Sequence, residues 1–253
     1  MKQKLKSIWE RIYPIYKNTY KLQKAIGRYG FHVVDETFST NCEDLILARL
    51  AASFGIEKGM YVDVGANHPV LYSNTLRFYE EGWRGINIDP LPESIAHFQK
   101  MRPNDVNLNF GCSDQTGTMT YYSFDESSYN TMNEQQAEHN IRNGISRLIS
   151  KTEVPVMRLQ DILDEYMPAM RGRSIDIMDI DVEDYEYTVV QGNDWERYRP
   201  KIMVVECLTD EFSDMQDIYR DPTISFLIER EYRVVAKVFH GTYLVDTRLL
   251  SDR

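Results

Sequence analysis

From residue 44 onward, short apolar segments of strand character alternate with segments of helical periodicity, and this alternation constrains the fold most. Nine segments have strand character: 60–66, 84–89, 106–113, 118–124, 154–159, 174–181, 201–207, 232–239 and 242–247. Helical segments lie at 44–54, 73–81, 92–101 and 160–166, and a helix is predicted before each of the strands at 201 and 232. Such regular alternation predicts an α/β fold with a mostly parallel, doubly wound sheet. The two strands around His240 and Gly241 predict a C-terminal antiparallel hairpin.

The beginning of the chain differs from the rest in charge. Residues 1–30 carry eight Lys and Arg against one Glu, a net charge of +7. Since the whole chain has a net charge of −10, the remainder carries −17. We predict a basic helical N-terminal extension over 1–37, interrupted at Pro14, and one domain over 38–253. The extension either contacts a membrane surface peripherally or packs on its own domain or on the second subunit of a homodimer. Its aromatic residues favour packing.

Composition argues against several classes of protein. A net charge of −10 disfavours a broad contact with nucleic acid, which needs clustered Lys and Arg. The three cysteines, Cys42, Cys112 and Cys207, are far apart and indicate neither a disulfide framework nor a structural zinc site. No apolar run is long enough to span a bilayer. We therefore expect a soluble protein of the cytoplasm.

A polar insertion separates two of the predicted strands. Residues 125–150 are rich in Asn, Gln, Ser and Glu and have weak helical character after Thr131. Insertions of this kind often form a mobile loop over an active site, although a solvated excursion without a role is the alternative.

Two acids follow neighbouring strands at positions that favour a nucleoside site. Asp63 stands two residues before the turn glycine Gly65, and Asp89, 26 residues later, ends the next strand. In a doubly wound sheet, an acid at such a strand end accepts hydrogen bonds from ribose hydroxyls. The segment lacks the full G-x-G-x-x-G pattern, which disfavours a dinucleotide. Asp63 suits the cationic amino and sulfonium groups of an aminoacyl cofactor, and polar atoms of 111–114 could face an adenine. Each acid alone would more often be a helix cap or turn residue.

Several longer segments resemble the FkbM family of methyltransferases over roughly residues 38–240. The resemblance is carried by 41–45, 59–67, 72–75, 82–90, 174–192, 199–201, the strand that ends in Glu206, and 226–235. It implies a Rossmann-like class I methyltransferase fold and a site for S-adenosylmethionine. The residues that would line that site are Glu43, Asp63, Gly65, Asn67, Asn74, Asp89 and Ser113. The family often has Lys and Gly at the positions of Asp179 and Asp184, so a lysine catalyst is absent there.

A cluster of acids marks the expected reaction centre. Asp179 and Asp181 are two residues apart and would project to the same face of a strand, and Glu206 closes the neighbouring strand. Converging carboxylates repel unless a cation neutralises them, so we predict a divalent metal, Mn²⁺ or Mg²⁺, bound by Asp179, Asp181, Glu206 and His240. His240 could instead be a general base. Acids after a strand also commonly cap the next helix.

Together these features predict an O-methyltransferase in which Asp181, Glu183 and His240 are catalytic. The resemblance implies a sugar hydroxyl as acceptor, on a nucleotide sugar or a polysaccharide precursor. The alternatives are a nicotinamide-dependent oxidoreductase, a non-catalytic scaffold in glycan assembly, and a metal-dependent hydrolase.

Overall fold

The computed structural model describes residues 36–170, 173–207 and 215–250. Apart from Glu36 and Thr37, the predicted extension over 1–37 lies outside the described residues, so its helices and its boundary stay predictions. The described helices are α1 (Glu43–Ser53), α2 (Leu76–Glu80), α3 (Pro92–Met101), α4 (Glu134–Arg142), α5 (Leu159–Tyr166), α6 (Glu186–Gln191), α7 (Met215–Ile218) and α8 (Pro222–Ile228). The strands are β1 (Met60–Val64), β2 (Arg84–Ile88), β3 (Val106–Leu108), β4 (Gly111–Ser113), β5 (Gly117–Phe124), β6 (Leu148–Arg158), β7 (Ile177–Ile180), β8 (Ile202–Glu206), β9 (Tyr232–Val238) and β10 (Gly241–Asp246).

A seven-stranded sheet in the order β3-β2-β1-β7-β8-β10-β9 forms the centre of the domain. The first five strands are parallel, whereas β10 runs antiparallel to both β8 and β9. The mostly parallel sheet and the C-terminal antiparallel hairpin confirm the predicted Rossmann-like fold. The strand order reverses between β1 and β7, and ligands of such sheets bind at the carboxyl ends of the strands at this point.

Strand β1 is buried on both faces of the sheet, as parallel strands usually are. Met60, Val62 and Val64 belong to one apolar cluster, whereas Tyr61 belongs to a second cluster on the opposite face. Because side chains alternate along a strand, Asp63 shares the face of Tyr61. The second cluster includes residues of α1 and α2, and these helices cover the face from which Asp63 projects.

The prediction of one strand over 106–113 was wrong. The chain leaves the central sheet after Leu108, and 111–113 forms β4 of a separate three-stranded sheet in the order β4-β6-β5. The side chain of Asn109 donates to the backbone oxygen of Asp89 at 3.1 Å at this break. Strand β6 is also longer than predicted, because its polar half at 148–153 pairs with β5. Backbone pairing stabilises this half, and a hydrophobic pattern does not reveal such pairing.

The insertion over 125–150 connects β5 to β6 of the smaller sheet. It contains a short 3₁₀ helix, Ser127–Tyr129, and then α4, whose N-cap Asn133 accepts from the backbone amides of Gln135 and Gln136. The helical character predicted after Thr131 is confirmed. Over the described part of the chain, the helices are too short or too polar to cross a membrane.

Breaking the ion pair between Arg199 and Asp246 should destabilise the domain strongly. The guanidinium donates to both carboxylate oxygens at 2.7 and 2.9 Å, and the two side chains are only 7% and 10% exposed. Asp246→Asn leaves Arg199 as an uncompensated buried charge, which costs about 3 kcal/mol. We expect urea denaturation to show this loss. Asp217→Asn, which breaks the exposed pair with Arg220, should change stability by less than about 1 kcal/mol. Equal effects would contradict the prediction.

Candidate active site

A cavity of about 480 Å³ opens at the carboxyl ends of the central parallel strands. It brings together all but one of the residues that the sequence predicted for the cofactor, the metal and catalysis. The predicted residues that line it are Glu43, Asp63, Gly65, Asn67, Asn74, Asp89, Asp179, Asp181, Glu183, Glu206 and His240. This convergence makes the cavity the candidate active site.

Ser113 is the predicted cofactor residue that does not line the cavity. Its hydroxyl lies 3.2 Å from the Oδ1 of Asp114 and 3.2 Å from the phenol oxygen of Tyr185. The preceding residues Gly111 and Cys112 line the cavity instead. The side of the site expected near an adenine is therefore formed by the start of β4 and not by its end.

Gly65 has a structural reason for being glycine that the sequence did not supply. Its φ of +85° is a left-handed conformation, and a Cβ there would lie 1.8 Å from the backbone oxygen of Asp181. Any side chain would therefore push apart the exits of β1 and β7. Gly65 keeps the cofactor segment and the acid cluster within one cavity.

Asp89 is held rigidly where β2 ends. One carboxylate oxygen accepts from the backbone amide of Asn67 at 2.9 Å, and the other accepts from Leu91 at 2.8 Å. Burial raises the pKa of Asp89 to about 7, although both amides favour the ionised form. A carboxylate offers about four acceptor positions, so Asp89 can also receive hydroxyl donors from a ligand.

Arg102 lies beside the site, and its role was not predicted from the sequence. Its side chain is fully buried and donates to the hydroxyls of Thr75 at 2.8 Å and Ser73 at 2.7 Å, and to the backbone oxygen of Pro69. Thr75 in turn donates to Asp63. Burial raises the pKa of Asp63 to about 6, against the lowering effects of Thr75 and Arg102. Only burial distinguishes this arginine, at the end of α3, from a surface cation.

Asp179 lies beside Asp63 and not within the group of acids that converge most closely. The two residues are register partners on β7 and β1, so their side chains project to the same face. Burial and the charges of Asp63 and Asp181 raise the pKa of Asp179 well above its ordinary value, and a hydrogen bond from Asn74 opposes this. Asn74 therefore orients Asp179, which was predicted as a metal ligand.

The closest group of acids is Asp181, Glu183 and Glu206, which we call the carboxylate trio. One oxygen of each lies within 4.8 Å of the others. A hydrogen bond joins Asp181 to Glu206, and burial with the charge of Asp181 raises the pKa of Glu206 well above its usual range. Burial raises the pKa of Glu183 to about 9. The Oε2 of Glu206 is buried and has no hydrogen-bond partner among the described residues.

His240 lies in the same cavity, on the turn between β9 and β10. An electrostatic interaction with His240 lowers the pKa of Asp181, which places the imidazole near the carboxylate trio. The position agrees with either role predicted from the sequence, metal ligand or general base.

The smaller sheet and the insertion form one wall of the cavity, and the residues of this wall were not predicted from the sequence. Tyr121 of β5, with Tyr129, Asn130 and Met132 of the insertion, lines the cavity opposite the central sheet. Burial raises the pKa of Tyr121, and the nearby charges of Asp89 and Glu183 raise it further. This wall thus borders both the nucleoside side and the acid side of the site.

The fold and the acid-lined cavity define an α/β protein of Rossmann-like type with a site at its topological switch point. Residues 63–234, more than half of the chain, match the family model described as Methyltransferase FkbM domain. The chain therefore belongs to the FkbM methyltransferase family, which confirms the resemblance noted in the sequence.

Two solved structures match the chain at low similarity. An O-methyltransferase from Bacillus cereus in complex with SAH is 13% identical, covers 88% of this chain and 86% of its own, and has a TM-score of 0.36. The archaeal TYW1 is 13% identical, covers 82% of this chain and 67% of its own, and has a TM-score of 0.28. No curated protein sequence matches the chain.

Asp89 should make the ligand-free protein less stable as the pH rises. Its folded pKa of about 7 exceeds the ordinary value of about 4, so the folded state holds a proton that the unfolded state has released. The unfolding free energy therefore decreases as the pH rises from about 4 to about 7. We expect urea denaturation at pH 5 and pH 8 to show a smaller decrease for Asp89→Asn than for the wild type. The exposed Asp114→Asn should follow the wild type, and parallel curves for all three would refute the prediction.

Proposed function

We propose that this chain is an S-adenosylmethionine-dependent O-methyltransferase that acts on a sugar hydroxyl, on a nucleotide sugar or a polysaccharide precursor, with a divalent cation, Mn²⁺ or Mg²⁺. The observation that carries the proposal is the presence of Asp89 and the carboxylate trio in one cavity of a member of a methyltransferase family. Asp89 suits the nucleoside of a methyl donor, and the trio suits a polar acceptor beside it.

The cofactor part rests on the acids around β1 and β2. Asp89 would accept from the ribose hydroxyls, as acids at this strand end do in nucleoside-binding sheets. Asp63 and Glu43 would provide negative charge for the amino and sulfonium groups of the donor. Both are buried in the cavity lining, where electrostatic attraction is less screened than in water. The arrangement favours a cationic methyl donor over an anionic dinucleotide.

The carboxylate trio fits a hard divalent cation. Its ligands are oxygens, they converge within 4.8 Å, and the Oε2 of Glu206 is a buried acceptor without a described partner. Asp181, Glu183 and Glu206 would hold the ion, with His240 within reach of the same space. When bound, such an ion polarises a hydroxyl and lowers its pKa.

The chain's own residues would then orient the acceptor and remove its proton. A sugar diol offers two adjacent oxygens to the carboxylate side of the cavity, which is why we favour a sugar over a monohydroxy acceptor. Transfer would form the new C–O bond as the C–S bond of the donor breaks, and His240 would take the hydroxyl proton. Tyr121 and Met132 line the opposite wall of the cavity.

Replacement of Asp89 should weaken cofactor binding. Loss of hydrogen bonds to a charged acceptor corresponds to roughly tenfold to hundredfold in affinity. We expect isothermal titration calorimetry with S-adenosylhomocysteine to show this loss for Asp89→Asn, while Asp114→Asn binds as the wild type does. In the wild type, S-adenosylhomocysteine should raise the melting temperature and NAD should not. Stabilisation by NAD alone would favour the oxidoreductase alternative.

Replacement of Glu206 should abolish most of the metal affinity. In calorimetric titrations with Mn²⁺, Glu206→Gln should bind at least about tenfold more weakly, since one anionic ligand is lost. Asp179→Asn should bind nearly normally if the trio is the site, and Glu153→Gln on exposed β6 is the matched surface control. Asp179→Asn equal to Glu206→Gln would instead favour the ligand set predicted from the sequence. Full methyl transfer after EDTA treatment would refute the metal requirement.

The acceptor is identified by incubation with labelled S-adenosylmethionine and a panel of nucleotide sugars and oligosaccharides. We expect a product heavier by one methylene group, with the methyl on oxygen by NMR. A methylated nitrogen would contradict the O-methyltransferase assignment.

A further inference from the structure

Two consecutive residues at the site have a backbone conformation that non-glycine residues rarely adopt. Glu183 and Asp184 have φ values of 55° and 68°, both in the left-handed region. Such conformations persist at functional sites where the surroundings hold them in place. Glu183 supplies one carboxylate of the trio, so the conformation of this turn determines where that carboxylate lies.

Two side chains of the insertion hold the turn. The hydroxyl of Thr131 donates to the backbone oxygen of Glu183 at 2.7 Å. The amide of Asn133 donates to the backbone oxygen of Asp184 at 2.8 Å and to its carboxylate at 2.9 Å. We call these two residues the latch. They bind both left-handed residues, each through its backbone oxygen.

The latch is itself fixed to the smaller sheet and to α4. Thr131 exchanges two backbone hydrogen bonds with Tyr122 of β5, at 2.9 and 3.2 Å. The Oδ1 of Asn133 accepts from the backbone amides of Gln135 and Gln136 and so caps α4. The insertion therefore approaches the turn as a rigid support.

We propose that Thr131 and Asn133 are positioning residues that keep the carboxylate of Glu183 beside those of Asp181 and Glu206. This inference rests on the proposed function of the carboxylate trio. The three carboxyl groups repel one another when they are ionised, and a turn without its latch would let Glu183 move towards solvent. The insertion thereby becomes part of the reaction centre, because it supports Glu183 and also contributes Met132 to the cavity wall.

Asn133→Asp breaks the latch contact of residue 133 but keeps its helix cap. Aspartate caps a helix N-terminus as well as asparagine does, so α4 is retained. The new carboxylate, however, replaces the amide donor and faces the oxygens of Asp184. The double variant Asn133→Asp with Asp184→Asn restores only the side-chain pair, with donor and acceptor reversed, and the backbone oxygen of residue 184 still lacks its donor. Asparagine tolerates the left-handed φ at this position. Thr131→Val removes the other bond, and Thr131→Ser keeps the hydroxyl as its control.

The variants are compared with the wild type by Mn²⁺ titration calorimetry, steady-state kinetics and hydrogen–deuterium exchange of the peptide 181–187. For Asn133→Asp we expect a loss of roughly tenfold in Mn²⁺ affinity and in kcat, because a small displacement of a ligand is enough. The KM for S-adenosylmethionine should stay within about twofold, since Asp89 is untouched. Exchange in 181–187 should accelerate. Thr131→Val should show a similar loss and Thr131→Ser should stay near the wild type. The double variant should recover only the part of the loss that repulsion between the carboxylates at 133 and 184 causes.

The outcomes separate the latch from the proposed function. Wild-type values for Asn133→Asp in all three measurements, or equal values for Thr131→Val and Thr131→Ser, would overturn the latch. A wild-type protein that neither binds Mn²⁺ nor methylates a sugar would overturn the proposed function. In that case exchange alone decides: acceleration in Asn133→Asp and in Thr131→Val, but not in Thr131→Ser, supports the latch, and unchanged exchange refutes it.

Discussion

Burial of acids at one edge of a parallel sheet is the constraint on which the rest of this domain depends. Asp63 and Asp179 occupy adjacent register positions and share a face, so their negative charges lie side by side in the interior. The chain offsets this repulsion locally, with Thr75 and the buried Arg102 on one acid and Asn74 on the other. Without these partners, the carboxyl edge could not stay both buried and ionisable.

The same edge of the sheet brings Asp89 and the carboxylate trio to one cavity, because its strands end close together. Gly65 packs against the backbone oxygen of Asp181 so tightly that no side chain fits, and the exits of β1 and β7 are held in contact. Asp89 then faces the cavity from one side and the carboxylate trio faces it from the other. Because the chain belongs to the FkbM methyltransferase family, methyl transfer is the chemistry that we assign to these neighbouring groups.

The parts of the fold that local patterns encode were predicted well. The helix predicted over 92–101 has the bounds of α3, and the parallel strands β1, β2, β7 and β8 lie where apolar runs end in glycine or acid. The smaller sheet was not foreseen, because 106–113 is one continuous alternating pattern that two different sheets divide. Pairing between β5 and the polar half of β6 depends on backbone groups, and these are the same in every sequence.

By itself, the sequence determined the sheet, the glycine turn and the set of acids at the strand ends, because hydrophobic period and turn chemistry are local. Tertiary structure decided which acids converge. The two-residue period that paired Asp179 with Asp181 ends at Ile180, and the left-handed turn after it brings Glu183 to the trio instead. It also buried Arg102 beside the site and left Ser113 outside the cavity lining, because burial and register depend on residues far apart in the chain.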